Sequence, residues 1–301
     1  VFGPAISEFL HFPPFFLDHL ALVKTSAYAD APLAPSSSGY PVIIFSHGWN
    51  GFAAQNSSQA IELASRGYVV VAIQHAYGAV TTVFDDGQIA PNNPAALPDG
   101  APEDMYDAAA RTLVEQWAGD ISYALDTLDQ LNRTPGTPFY STLDLEHVGV
   151  YGHSTGGGAA IEFCGTDERC MAVLALDPFM TPVSLEVLAA GDPQPAFFMF
   201  SQSWRDEIDS KNNQLFAGFY FHVPQSLGVV SVEGSKHHDF SDLPLLSPIS
   251  AQLGFKGPID GGRMIEIADT YIIAFFDATL KGRKTDLFDG PSARFPEVRF
   301  E

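Results

Sequence analysis

The segment Gly152–Gly156, with the sequence GHSTG, is the strongest candidate for chemistry in this chain. It follows the apolar run HVGVY and precedes a glycine-rich stretch that predicts a helix. A serine on such a strand-to-helix turn is lifted out of the sheet, and its small neighbours permit the strained backbone. A glycine-rich turn alone explains neither this position nor the apolar approach, so we expect Ser154 to be a nucleophile.

A serine hydroxyl needs a base to accept its proton, and in folds with this turn the triad order along the chain is serine, acid, histidine. Three histidines come late enough in the chain, namely His222, His237 and His238. His237 follows a short turn after an apolar strand ending at Val232, where a loop after a late strand would deliver an imidazole. His222 lies in the aromatic run FYFH, which is typical of a packed residue, and we expect His238 to point elsewhere. We predict His237 as the base.

Two aspartates could hold the imidazole in the correct tautomer. Asp177 ends the apolar strand VLALD, at the edge of a parallel sheet where ligands bind. Asp206 follows the next apolar strand and is the rival, since many proteins of this fold carry their acid there. We favour Asp177 because a buried carboxylate needs a partner, whereas the neighbours of Asp206, Arg205 and Glu207, indicate a solvated turn.

A tetrahedral intermediate needs two hydrogen-bond donors for its oxyanion. We expect one from the backbone N–H of Thr155 and the other from Trp49, in the segment SHGWNG after the first parallel strand. The Trp49 indole could also form a wall of an acyl pocket. We interpret His47 and His153 as structural supports rather than reacting groups.

The only two cysteines, Cys164 and Cys170, are too few and too unaccompanied for a metal site. They could close a small disulfide loop, which would indicate an oxidising compartment, or they could remain buried thiols. The sequence leaves both alternatives open.

The elements that must position these residues alternate between strand and helix, which predicts an α/β fold with a mostly parallel sheet covered on both faces. Apolar runs predict strands at 41–46, 68–74, 147–151, 172–176, 196–200 and 228–232, and helical spacing predicts helices at 57–67, 105–131, 157–163 and 265–280. Residues 79–102, with four prolines and the sequence DDG, predict a long loop. We expect residues 1–35 to be an irregular N-terminal segment and residues 36–301 to form a single α/β-hydrolase domain.

The amino-acid composition disfavours several kinds of binding partner. The chain of 301 residues has a formal net charge of -21, which disfavours binding to nucleic acids and to anionic lipid surfaces. No apolar run reaches the roughly 18 residues that cross a bilayer, so we expect no stable membrane insertion. The acidity favours a secreted or extracytoplasmic location. An ester substrate is the only partner we predict, and the sequence predicts no oligomeric state.

The motifs together resemble those of the plasma-type platelet-activating-factor acetylhydrolases and their bacterial relatives. The matching segments, which span most of the chain, are YPVIIFSHGWNGF, ELASRGYVVVAIQH, GHSTGGG, ALDPFM and GSKHHDFSDL. The resemblance implies a triad of Ser154, Asp177 and His237, with the N–H groups of Trp49 and Thr155 as the oxyanion hole. It also implies a cofactor-free carboxylic ester hydrolase that works through an acyl-enzyme on short or truncated acyl chains.

A weaker resemblance connects the segments SRGYVVVAI and GHSTGGG to bacterial cutinases and polyester hydrolases. Those enzymes carry their acid after the later strand, which would favour Asp206. A polyester hydrolase or lipase is therefore one alternative function. A catalytically silent α/β-hydrolase that serves as a binding protein is another, although such proteins typically lack a member of the triad and none is missing here.

Overall fold

A computed structural model describes residues 2–9, 11–245, 250–252 and 254–301. The strands are β1 (Tyr40–Ser46), β2 (Val69–Ile73), β3 (Thr81–Val83), β4 (Ile89–Pro91), β5 (Leu143–His153), β6 (Ala172–Leu176), β7 (Ala196–Ser201), β8 (Ser226–Val232) and β9 (Val298–Phe300). The helices are α1 (Phe2–Phe9), α2 (Ser57–Ser65), α3 (Glu103–Arg133), α4 (Thr155–Thr166), α5 (Leu185–Ala190), α6 (Gln202–Arg205), α7 (Lys211–Tyr220) and α8 (Gly261–Lys281). Short 3₁₀ helices cover Pro14–Leu22, Ala53–Asn56, Pro94–Ala96, His237–Phe240 and Leu243–Leu245.

Seven strands form the main sheet in the order β2-β1-β5-β6-β7-β8-β9. All neighbours are parallel except β9, which runs antiparallel to β8. The register pairs Ser46 at the end of β1 with Gly152 near the end of β5. The loop that follows β1 therefore starts beside the turn that carries Ser154. The predicted fold class, a mostly parallel α/β-hydrolase sheet, is confirmed.

The core lies on both faces of this sheet. Along β1, Val42 and Ile44 pack in the cluster that contains the apolar faces of α3 and α4, whereas Ile43 and Phe45 pack in the cluster that contains α8. Successive side chains of a strand point to opposite faces, so a strand buried on both sides must be continuously apolar. This explains why the run PVIIF predicted a central strand correctly.

The segment 79–102 is less irregular than predicted. The strands β3 and β4 form an antiparallel hairpin, and the N–H of Phe84 donates to the carbonyl of Gln88 across the turn. Gly87 in this turn has a φ of 84°, a conformation that costs glycine no steric strain. The expectation of a loop without regular structure was therefore wrong for this part of the segment.

The N-terminal segment also contains more regular structure than predicted. The helix α1 and the 3₁₀ helix Pro14–Leu22 contact each other, and Ile6 and Leu17 pack with Val80, just before β3. Contacts with the hairpin region, rather than local propensity, explain why these residues are ordered as short helices. The division of the chain into residues 1–35 and 36–301 stays a prediction.

Cys164 and Cys170 form a disulfide bond. It links the last turn of α4 to the residues just before β6, which decides an alternative that the sequence had left open. In the described part of the chain, no helix is both long enough and apolar enough to cross a membrane.

Candidate active site

The turn between β5 and α4 places Ser154 in a conformation that non-glycine residues rarely adopt, with φ 57° and ψ −121°. The backbone around it is tightly packed. A Cβ atom added at Gly156 would lie 2.1 Å from the carbonyl oxygen of Ser46, so only glycine fits there. Backbone strain of this kind persists only where the surrounding structure enforces it, and it is concentrated at functional sites.

Asp177 and His237 come together although sixty residues separate them. The Nδ1 atom of His237 lies 3.0 Å from Oδ2 of Asp177, whose side chain is fully buried. Ser201 holds the same carboxylate from the next strand, because its N–H donates to Oδ1 at 2.7 Å and its hydroxyl donates to Oδ2 at 2.6 Å. Since β6, β7 and β8 are neighbours in the sheet, their carboxyl ends bring these three residues to one edge.

The rival aspartate lies elsewhere. Asp206 directly follows α6, its side chain is 54% exposed, and one of its oxygens lies 2.7 Å from the guanidinium of Arg205. The structure thus brings Asp177, and not Asp206, to His237. His222, which we expected to be packed, is exposed in the turn that follows α7. His238 lines the same cavity as His237 instead of pointing away from it.

Burial acts in opposite directions on the two groups of the pair. It raises the pKa of the Asp177 carboxyl, and the hydrogen bonds from Ser201 counteract part of this rise. Burial lowers the pKa of the His237 imidazole, and the neighbouring His238 lowers it further. In alkaline solution the pair therefore consists of a carboxylate and a neutral imidazole, which is the state that can accept a proton from a serine hydroxyl.

Two aromatic rings enclose the imidazole of His237. The indole of Trp204 stacks on it, with ring centroids 4.5 Å apart and planes 14° apart. The ring of His153 contacts it at a tilt of 36°, with centroids 4.4 Å apart. The Nε2–H of His153 donates to the carbonyl oxygen of His237 at 2.9 Å, which fits its predicted role as a support. Sequence reasoning missed Trp204 and Ser201, although both lie in the segment SQSW at the carboxyl end of an apolar strand.

The loop after β1 is held by a second buried network. The Nδ1–H of His47 donates to the carbonyl of Gly48 at 2.7 Å, and its Nε2 accepts from the N–H of His75 at 3.2 Å. The Nδ1 atom of His75 in turn lies 2.7 Å from Oδ2 of Asp120. The imidazole of His75 also stacks on the indole of Trp117, with ring centroids 4.1 Å apart. Burial lowers the pKa of His47 to about 3, so this imidazole is neutral and acts as a support. The contribution of His75 was not predicted.

The two groups predicted to bind the oxyanion are the backbone N–H groups of Thr155 and Trp49. Thr155 is the first residue of α4, so its N–H has no partner within the helix. No residue in the described ranges accepts a hydrogen bond from the N–H of Trp49. A Cβ atom added at Gly48 would lie 3.1 Å from the Cβ of Ser154, so the loop that carries Trp49 passes directly beside the serine.

A cavity of about 180 Å³ opens beside Ser154 and His237. Its lining is mainly apolar and aromatic and includes Trp49, Phe52 and Phe255. Within the described ranges, one group of His, Cys, Asp and Glu side chains is close enough to hold a metal ion, and it consists of His153, Asp177 and His237. These side chains already hydrogen-bond one another or the backbone, so the arrangement is better suited to moving a proton than to binding a metal.

Residues 5–291 match the sequence profile of the family described as platelet-activating factor acetylhydrolase, isoform II. The chain belongs to this family. The resemblance noted from the sequence motifs is therefore confirmed, and the matched range spans the positions of Ser154, Asp177 and His237.

Relatives within this family come from vertebrates and fungi. The platelet-activating factor acetylhydrolase of Cavia porcellus is 30% identical over 86% of this chain and 61% of its own length. The enzyme of the same name from Canis lupus familiaris is 27% identical over 87% and 62%, respectively. A probable 1-alkyl-2-acetylglycerophosphocholine esterase of Arthroderma benhamiae is 24% identical over 87% of this chain and 66% of that protein. The matched region thus spans about three fifths of the length of the vertebrate relatives named here.

Among solved structures, a ferulic acid esterase from Streptomyces cinnamoneus superposes with a TM-score of 0.78 at 26% sequence identity. The match covers 99% of this chain and 84% of that enzyme. Neither this likeness nor the relatives named above favour a polyester hydrolase or a silent binding protein over an ester hydrolase of the acetylhydrolase family.

Proposed function

We propose that this protein hydrolyses carboxylic esters through a serine acyl-enzyme. The observation that carries the proposal is the hydrogen bond between buried Asp177 and His237, beside the apolar cavity onto which Ser154 also opens. A nucleophile, a base and a group that orients the base are the minimum set for acyl transfer by serine.

In this mechanism the Oγ of Ser154 attacks the carbonyl carbon of the ester while the Nε2 of His237 accepts the hydroxyl proton. Asp177 accepts the hydrogen bond from Nδ1–H and stabilises the imidazolium that forms. The N–H groups of Trp49 and Thr155 donate to the oxyanion of the tetrahedral intermediate. His237 then protonates the departing alkoxide, and a water molecule repeats the sequence to release the carboxylic acid.

The substrate class that we propose is an ester of a short acyl group. The names of the acetylhydrolase relatives support an acetyl group. A compact aromatic acyl group is the second candidate, because aromatic side chains line the cavity and the structural neighbour is a ferulic acid esterase.

We also propose that the protein works in an extracytoplasmic compartment. The Cys164–Cys170 disulfide supports this location, since disulfides persist in oxidising environments and are rare in the cytosol.

The test is the substitution Ser154→Ala, assayed with p-nitrophenyl acetate and with a fluorophosphonate probe that labels activated serines. We expect kcat to fall by at least about 10⁴-fold and labelling to disappear. The matched control is Ser65→Ala, at an exposed position at the end of α2, which should keep both turnover and labelling. Full turnover by Ser154→Ala would overturn the proposal.

A further inference from the structure

We propose that Asp120, on helix α3, is a positioning residue for ester hydrolysis, because it fixes the imidazole of His75 on which the loop carrying Trp49 rests. Asp120 lines a surface groove, whereas Ser154 and His237 line the separate cavity described above. The inference rests on the proposed function and extends it to a carboxylate outside that cavity.

The hydrogen bonds of His75 determine which of its ring nitrogens carries the proton. Nδ1 lies 2.7 Å from Oδ2 of Asp120, and Nε2 lies 2.9 Å from Oγ of Ser46. Burial lowers the pKa of His75, although the hydrogen bond to Asp120 counteracts this, so the ring is neutral and holds one proton at neutral pH. A carboxylate only accepts hydrogen bonds, whereas a hydroxyl also donates. Asp120 therefore places the proton on Nδ1 and leaves Nε2 to accept from Ser46.

Two side chains tie the beginning of the loop that carries the oxyanion donor to His75. The hydroxyl of Ser46 donates to its Nε2, and the backbone N–H of His75 donates to Nε2 of His47 at 3.2 Å. The ring of His75 stacks on Trp117 with planes 3° apart, and the ring of His47 meets both edge-on, with centroids 5.0 Å from His75 and 5.2 Å from Trp117. All three rings are buried, and protein interiors contain few voids, so a His75 ring that turns must displace His47.

The orientation of His47 sets the direction of the Trp49 N–H, which is one of the two predicted oxyanion donors. The Nδ1–H of His47 donates to the carbonyl oxygen of Gly48 at 2.7 Å, and the N–H of Gly51 donates to the same oxygen at 2.9 Å. The Gly48 carbonyl and the Trp49 N–H belong to one peptide unit. Because that unit is planar and trans, the two groups point in opposite directions and are fixed together. A displacement of His47 is thus passed to the oxyanion hole through one peptide plane.

Ser46, His75 and Asp120 have the hydrogen-bond pattern of a catalytic triad, but they cannot form a second active centre. Ser46 is fully buried, so its hydroxyl cannot meet an ester. Asp120, in contrast, has a side chain that is 48% exposed, so its replacement by a residue of the same shape opens no cavity in the core. The role of the carboxylate is therefore to hold His75, and it can be tested without disturbing the packing.

The test compares Asp120→Asn with Asp129→Asn, which removes a carboxylate from the same helix. Asp129 is 40% exposed and pairs with Arg133 one turn further along α3. An Asn amide can donate to Nδ1 as well as accept from it, so Asp120→Asn no longer fixes the tautomer of His75. We expect kcat and kcat/KM for p-nitrophenyl acetate to fall together by at least about tenfold, because the oxyanion forms during the reaction and not in the bound ester. Asp129→Asn should keep both values of the parent.

Two further measurements separate positioning from a general loss of stability, with all rates referred to active sites titrated with the fluorophosphonate probe. The affinity for an alkyl trifluoromethyl ketone, which forms an anionic tetrahedral adduct with a serine, should fall by the same factor as kcat/KM. The nitrogen NMR shifts of the His75 ring should show the proton on Nδ1 in the parent and a mixture of tautomers in Asp120→Asn.

Turnover and inhibitor affinity within about twofold of the parent in Asp120→Asn would overturn the inference, and so would an equal loss in Asp129→Asn. The turnover of the parent decides the proposed function. An active parent that is insensitive to Asp120→Asn refutes this inference alone, whereas an inactive parent refutes both. If Asp120→Asn does not fold, Ser46→Ala takes its place, since it removes the donor to Nε2 of His75. The same loss of kcat and inhibitor affinity is expected there, and unchanged values would again overturn the inference.

Discussion

At the scale of single residues, the decisive feature is how the carboxylate of Asp177 is satisfied. It accepts three hydrogen bonds, two from Ser201 and one from His237, while Asp206 is held by Arg205 at the surface. The sequence could predict Ser154, Asp177 and His237 because each follows an apolar strand, and such positions meet at one edge of a parallel sheet. It could not predict Ser201, because that contact depends on which strand lies next to β6.

Replacing Asp177 by Asn should change both kcat and the pKa of His237. The carboxylate stabilises the protonated imidazole, so its removal should lower the pKa of His237 beyond the effect of burial. In the parent, we expect activity when Asp177 is a carboxylate and His237 is a neutral imidazole, and we expect it to be lost as the pH falls. In Asp177→Asn, we expect kcat to drop about 10⁴-fold and the imidazole to titrate at lower pH than in the parent. Steady-state kinetics and NMR titration of the histidine resonances measure the two effects.

The control for this experiment is Asp206→Asn, which removes the rival carboxylate from the surface. We expect this variant to keep the rate and the imidazole titration of the parent. The opposite pattern, with loss of activity in Asp206→Asn alone, would assign the acid to Asp206.

At the scale of elements, the long apolar strands and the helices α2, α3, α4 and α8 were predicted, whereas α7 and the short pieces were not. The central strands are buried on both faces, so their sequences are continuously apolar. The hairpin β3–β4 has only three residues in each strand, and α1 packs through contacts with that hairpin region, so neither produces a periodic pattern long enough to identify. The strand β9 was missed for the same reason. Their positions follow from tertiary packing.

The tight packing of α4 against β1 can be tested by replacing two glycines with alanine, one at a time. The two substitutions should change the free energy of unfolding in opposite directions. Gly156→Ala forces a Cβ against the backbone of Ser46, so we expect a loss of at least about 2 kcal/mol in the free energy of unfolding. Gly119 lies exposed within α3 with no atom near its would-be Cβ. There Ala should stabilise the helix by about 0.5–1 kcal/mol. Urea titrations of the two variants and the parent measure both effects, and an equally stable Gly156→Ala variant would refute the close approach.

At the scale of the whole molecule, the excess of acidic residues is the dominant feature. The chain carries 36 acidic and 15 basic residues, and many of the basic ones are engaged in ion pairs. The remaining negative charges repel one another and destabilise the compact state. Composition alone predicts this property, whereas the mainly apolar and aromatic lining of the cavity is formed by segments far apart in sequence, so only the folded chain shows it.

Salt should therefore stabilise the fold at pH 8. Raising sodium chloride from about 10 mM to 300 mM shortens the range of the repulsion, so we expect the midpoint of thermal unfolding to rise. Near pH 5, close to the calculated isoelectric point of about 4.5, the net charge is small and the effect should shrink. Calorimetry at the two pH values measures both, and a midpoint that falls with salt at pH 8 would contradict the expectation.

Because the indole of Trp204 stacks on His237, its fluorescence should report the protonation state of that imidazole. A protonated imidazole quenches the emission of an indole that it touches, so fluorescence from Trp204 should follow the charge on His237. The other two tryptophans, Trp49 and Trp117, lie in the cavity lining and against His75. Every tryptophan thus lies at the site or its supporting network, and the pH dependence of the emission can follow the protonation of His237 without any added label.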